Sequence, residues 1–332
     1  MLAVLERRVP ARPTLFEFTL NQTIYEQVIG RPIPTDGDGM GWARCLIEAF
    51  AKLGYDFALI GGWHHRALVF EKKTVHQKAS KSLNSVAVIT DEAEFAAYQW
   101  PTLDLSRLAF FEKIGDELPD GMKLIACGYE GVLETVIDLV GFENLCLLLY
   151  MQPELVEAVF ENVGARILTF YQEVVQYDAV GAVIANDDWG FKTQTMLSPE
   201  DLRRLVFPWH RKIVQAAHVA GKPVILHSCG NLDAVFDDII DDIKFDGKHS
   251  FEDAIVPVEE AIERYGGRIA IIGGIDVDFL AEQPPEAVRR RTGRLAEASM
   301  MRGGVAVGSG NSIPEYIPID HYCVMLQEAL RR

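Results

Sequence analysis

Cations, cysteines and long apolar runs are all scarce in this chain of 332 residues. Lysine and arginine number 32 against 48 acidic residues, a formal charge of −16 at pH 7. That balance argues against nucleic acid or an anionic membrane surface as a partner. The five cysteines, at 45, 127, 146, 229 and 323, are odd in number and follow no framework spacing. Such usage suits a reducing cytoplasm better than a disulfide-held secreted protein. No apolar run approaches the ~20 residues a membrane span needs, and residues 1–13 lack the continuous apolar centre of a signal peptide. No Gly-x-Gly-x-x-Gly turn opens a first helix, so a dinucleotide-binding open sheet is disfavoured. The expectation is a cytoplasmic protein that meets neither nucleic acid nor membrane.

What is present is a hydrophobic content of 49%, enough for a large core. It is arranged in a recurring unit: a short apolar run, polar or glycine residues at its end, then a helical stretch. The runs fall at 14–20, 57–62, 123–127, 182–185, 223–226, 244–247, 268–272 and 304–307. Between the later ones lie amphipathic helices. Residues 153–177 place Leu155, Val159, Val163, Ile167, Phe170 and Val174 at three- and four-residue intervals, one buried face. Ser198 followed by Pro199 and two acids reads as a helix start, and Pro208 should bend that helix. Further helices are expected at 252–265 and 284–301. Eight such units predict a (β/α)8 TIM barrel, read as one domain over 1–332. A loop at 31–41 and a rim insertion after the second strand, 63–122, break the regularity. The insertion reads as a hairpin-like alternation (67–70 and 85–89) around a basic loop, then a helix capped by Thr90.

A barrel of this kind carries its active site at the C-terminal ends of the strands. Polar residues concentrate there, after runs that are almost wholly apolar. The centre of the argument is the fifth run, which ends in His227-Ser-Cys229-Gly-Asn231. An imidazole two residues from a thiol can lie on the same side of the chain and form half of a zinc site; the plain alternative is a packed Cys and a hydrogen-bonded core His. His249 and Glu252 follow the neighbouring strand and are the nearest candidates to complete a metal site, or simply loop hydrogen-bonders. Asp187 and Asp188 are adjacent, so one should face the mouth and the other turn away. Trp189, Ser309 and Asn311 lie at strand ends too. Gly273-Gly274 and Gly308-x-Gly310 imply a close backbone approach or tight turns. His64 and His65 read as rim, Cys127 as core.

His227-Ser-Cys-Gly-Asn, Asp187-Asp-Trp-Gly, Ser198-Pro-Glu, Pro208 and the Gly273-Gly-Ile-Asp276 … Gly308-x-Gly310 tail together resemble the uroporphyrinogen decarboxylase superfamily, best from about Gly128 onward. The resemblance implies a (β/α)8 barrel and one of two activities: porphyrinogen decarboxylation, or methyl transfer with cobalamin. The His-x-Cys element resembles the methyltransferase branch, in which those two residues bind zinc. That branch draws a third ligand from a Cys after the eighth strand, where this chain has Ser309; the decarboxylase branch has a His there. The decarboxylases also carry an arginine-rich motif for substrate carboxylates, and here only Arg7, Arg8 and Arg12 precede the first run.

The resemblance therefore implies a corrinoid-dependent methyltransferase, with zinc on His227 and Cys229 and a third ligand from His249, Glu252, Glu130 or solvent. Asp187, His249 and Glu252 are the expected catalytic acids or bases. Asp188, Trp189, Asn231, Ser309 and Asn311 are expected to bind a small methyl donor or acceptor, with a lean towards an aryl methyl ether. The expected partner is a separate corrinoid protein carrying cobalamin, docked with help from Lys72, Lys73, Lys78 and Lys81. The rivals are a metal-free decarboxylase and a non-catalytic corrinoid or small-molecule binding protein.

Overall fold

The computed structural model describes residues 1–34, 39–72 and 87–331. Eight strands run parallel: β1 (Thr14–Leu15), β2 (Phe57–Ile60), β3 (Lys123–Cys127), β4 (Val180–Asn186), β5 (Val224–His227), β6 (Gly247–His249), β7 (Ala270–Ile272) and β8 (Val305–Val307). They form one curled sheet in the order β1-β8-β7-β6-β5-β4-β3-β2, with helices between them, a (β/α)8 barrel-like α/β fold. No backbone ladder joins β1 to β2 among the described residues. There Phe16 stacks on Phe57 with ring centroids 5.5 Å apart, closing the seam with side chains. No described helix is long and apolar enough to cross a membrane.

The strands are short and apolar because both faces are covered, one by the barrel interior and one by the helices. β5 is buried at every position. The helix Pro153–Val174 buries Leu155, Val159, Val163, Ile167, Phe170 and Val174, the face expected from their spacing. Ser198 caps a helix over 199–219, accepting from Asp201 N, and a π-type turn at Leu202–Val206 precedes Pro208. That wider turn accommodates a proline that cannot donate to the preceding turn.

Several boundaries differ from expectation. β6 lies at Gly247–His249, later than the run at 244–247, so His249 belongs to the strand itself. The run was hidden by Lys248, a charged residue in a buried strand, whose Nζ donates to Ser228 O at 3.0 Å and to Ser250 O. The helix expected from 252 begins at Val258, after Pro257. Asp91 caps the helix Glu92–Ala97, one residue past Thr90. Residues 67–70 form no strand, and 85 and 86 lie outside the described residues. Within the expected insertion, the helix Leu105–Gly115 buries Leu108, Phe110, Phe111 and Ile114 in the common core.

Register positions the site. β4 and β5 pair Asn186 with His227, and β5 and β6 pair His227 with His249. In-register residues of parallel neighbours project to the same face, so the two histidines stand side by side at the barrel mouth.

Candidate metal centre

Asp188, His227 and Cys229 place one ligand atom each within 4.8 Å of one another. Cys229 Sγ lies 3.8 Å from His227 Nε2. Cys229 N donates to Asp188 Oδ1 over 2.7 Å, which ties the end of β4 to the end of β5. Two donors aim at the sulfur: Ser250 Oγ at 3.5 Å and Asn311 Nδ2 at 3.4 Å. Phe18 stacks on the His227 ring at 4.0 Å and 14°. Behind His227, its Nδ1 meets His249 Nδ1 at 2.7 Å.

Burial dominates the electrostatics. It pushes His227 down to about 4, partly opposed by Asp188, so the imidazole is neutral at pH 7. It pushes the Cys229 thiol up to about 12, with the Asp188 charge adding to the effect. His249 is driven well below the usual histidine range, by burial first and His227 second. Glu134, beside Asp187 and Asp188, is held well above the carboxylate range by burial and then by the Asp188 charge.

A soft thiol, an imidazole and a carboxylate make a zinc-type donor set. In tetrahedral zinc sites, thiolate sulfur and imidazole nitrogen stand about 3.5 Å apart, and the 3.8 Å here is within a few tenths of that. Three protein donors would leave a fourth position for a reactant, the pattern of catalytic sites. The residues fit the ion.

The other expected site residues divide. Asp187 turns away from the mouth: its carboxylate accepts from Leu133 N and Glu134 N at 3.0 Å and lies 2.9 Å from His210 Nε2. It caps the helix Val132–Val140. Trp189 is also core, packed against Phe207 and His210. Asn231 closes its own turn by accepting from Asp233 N. The Ser309 hydroxyl is held between Glu17 and Asn311 O. Asn311 is at the site, on the cysteine sulfur. Glu252 stands outside the cluster and lines a cleft of about 380 Å³ with Phe251, Asp276, Asn311, Pro314 and Tyr316. Glu130 is engaged elsewhere, paired with Lys72, and Lys72 also pairs with Asp138. Lys73, Lys78 and Lys81 lie outside the described residues. Arg12 bonds Gly54 O and Asp56, and Arg7 bonds Arg268 O, all before β2 and β7 and therefore at the opposite end of the barrel.

Sequence reasoning missed four residues: Glu17, Phe18, Lys248 and Ser250. The signal for the first two was present, a lone acid between two phenylalanines at the end of the first apolar run. Lys248 carries none, because it falls between the expected run and the polar residues after it, and Ser250 stands between His249 and Glu252 with no mark of its own.

A parallel barrel with a three-donor cluster at its strand ends has the architecture of an enzyme. The family model for uroporphyrinogen decarboxylase (URO-D) matches residues 89–331, most of the chain, and the chain belongs to that family. It is 27% identical over 184 residues to a uroporphyrinogen decarboxylase of Anaeromyxobacter dehalogenans (strain 2CP-C), covering 54% of this chain and 49% of the relative. It is 25% identical over 197 residues to one from Paraburkholderia xenovorans (strain LB400), covering 57% and 50%. The chain thus spans about half the length of these curated relatives. Among solved structures, a methyltransferase from Methanosarcina mazei superposes with a TM-score of 0.71 over 99% of this chain and 96% of its own. At 16% identity that likeness concerns the fold.

Proposed function

We propose that this chain is a corrinoid-dependent methyltransferase, moving a methyl group between a small substrate and the cobalt of a separate corrinoid protein, with zinc on Asp188, His227 and Cys229. The observation that carries the reading is the convergence of those three donors at the ends of β4 and β5. The full-length likeness in fold to the Methanosarcina mazei methyltransferase supports it. When bound, zinc supplies Lewis acidity to the heteroatom that gives up or receives the methyl group.

The chain's own groups have definable tasks. Asp188 fixes the Cys229 peptide, and so the sulfur. Ser250 and Asn311 donate to that sulfur and favour its thiolate. Phe18 covers one face of His227 and keeps water from it. Asn311 joins the cluster to the cleft beside Glu252, where Phe251, Pro314 and Tyr316 offer surface to an aromatic ring. With one thiolate, one imidazole and one carboxylate, the centre is less electron-rich than with two thiolates. That favours polarising an oxygen leaving group, and an aryl methyl ether as donor. Glu252, Asp276 and Asp278 in the cleft wall disfavour anionic substrates.

The second reading is decarboxylation, favoured by the names of the two curated relatives. A porphyrinogen bearing several carboxylates calls for cations at the mouth, and Arg7 and Arg12 lie at the far end. Metal analysis of protein purified without added metal or chelator separates the readings. The expected result is one zinc per chain, lost in Cys229→Ser; a wild-type protein free of zinc that cannot be loaded would favour the decarboxylase.

A further inference from the structure

Glu17 follows β1 and is completely buried. Ser309 N donates to its Oε1 over 2.9 Å, and Ser309 Oγ lies 2.6 Å from its Oε2. The same hydroxyl oxygen lies 2.6 Å from Asn311 O. A serine hydroxyl has one proton to give, and a peptide carbonyl has none. Both short contacts are satisfied together when Ser309 donates to Asn311 O and Glu17 carries the proton that it donates to Ser309 Oγ. Burial, which pushes the Glu17 carboxyl up to about 8 against the bonds from Ser309, works in the same direction.

The Ser309 carbonyl meets His249 Nε2 at 3.3 Å. A carbonyl only accepts, so His249 holds its proton on Nε2 and presents Nδ1 as an acceptor. That Nδ1 lies 2.7 Å from His227 Nδ1, which must then carry the His227 proton. The Nε2 lone pair of His227 is left facing Cys229 Sγ. Two glycines make the chain of contacts possible. A Cβ on Gly273 would stand 2.3 Å from Ser309 O, and one on Gly308 would stand 1.7 Å from Phe16 O. Without side chains there, the turn after β8 presses against β1 and brings Ser309 to Glu17.

We infer that Glu17 is a positioning residue: as a protonated acid it fixes Ser309, whose carbonyl sets, through His249, the His227 tautomer that a metal can bind. The inference rests on the zinc reading for its purpose, while the tautomers belong to the metal-free chain. Partners that orient a liganding histidine typically matter ~10–100-fold in metal affinity.

The test is long-range proton–nitrogen NMR of the histidines in the full-length, metal-free protein, with zinc affinity measured by chelator competition. In the wild type, His227 should carry its proton on Nδ1 and His249 on Nε2. Glu17→Leu should mix the His227 tautomers and weaken zinc binding by ~10–100-fold, whereas Glu17→Gln, which can donate to Ser309 Oγ and accept from Ser309 N, stays within about threefold. A merely structural Glu17 would lower thermal stability in the Leu variant and leave the tautomer unchanged. His227 protonated on Nε2 in the wild type, or a Leu variant keeping both tautomer and affinity, overturns the inference. Should Glu17→Leu not fold, the wild-type spectrum and the Gln variant still decide. Wild-type tautomers as predicted in a chain that binds no zinc would overturn the metal reading instead, with the relay intact.

Discussion

Asp187 and Asp188 are adjacent in sequence and face opposite sides of the end of β4. Asp187 binds the start of the helix Val132–Val140 and His210, and Asp188 stands with His227 and Cys229. Their substitutions should therefore separate stability from metal binding. Asp187→Ala removes the partner of a buried histidine and two backbone donors, and should cost about 3–5 kcal/mol in denaturant unfolding. Asp188→Ala should cost less stability and lower zinc affinity by at least about tenfold. Equal effects of both on zinc binding in the folded proteins would contradict the assignment.

Gly190 and Gly230 clamp the two strand-end turns that carry the donors. A Cβ on Gly230 would meet Gly190 O at 2.1 Å, and its φ of +84° already disfavours a side chain. Across the same contact Asn231 N donates to Phe191 O at 2.7 Å. Gly230→Ala should cost at least about 2 kcal/mol and also weaken zinc binding, because the turn holding Cys229 must shift. An Ala variant matching wild type in both melting temperature and zinc affinity would show that the turns are not so tightly coupled.

Stability should peak near neutral pH, with different groups on each side. His64, His65 and His227 are pushed down to about 3, 4 and 4, chiefly by burial. Their stabilisation is present above the unfolded value near 6.5 and is lost as pH falls through the folded values. Glu17, raised to about 8, works the other way: the folded chain holds its proton more tightly, so its contribution is full below about 4.5 and declines as pH rises through 8. Between pH 6.5 and 7.5, Glu17→Gln should gain on the wild type by about 1.4 kcal/mol per pH unit. Tyr25, Tyr55 and Tyr322, which surround it, titrate far above this window. Parallel stability curves for the two proteins would show that Glu17 is not proton-bearing in the fold.

Much of this was legible in the sequence, and the rest failed for physical reasons. Short apolar runs with polar ends gave the barrel, because parallel strands covered on both faces leave that pattern. His227 and Cys229 stood out because two donors ended one such run. Asp188 could not be chosen over Asp187, since the direction of each side chain depends on which neighbour β4 meets. β6 was misplaced because a lysine sits in a buried strand, where backbone carbonyls rather than an acid neutralise its cost. Its place at a strand end predicts that Ser309 faces a ligand, whereas its hydroxyl is taken up by Glu17, a residue 292 positions away. Such long-range pairings follow from barrel closure: the lone acid between Phe16 and Phe18 marks Glu17 locally but does not name its partner.

The central claim is most directly tested by mixing the zinc-loaded protein with a reduced corrinoid protein and a panel of methoxylated aromatics, methylamines and methyl thiols, and following cobalt by absorbance. The account predicts methyl–cobalt formation with at least one donor, a methoxylated aromatic first, abolished by His227→Ala. Silence across the panel and with thiol acceptors, together with conversion of uroporphyrinogen to coproporphyrinogen by the same protein, would contradict it.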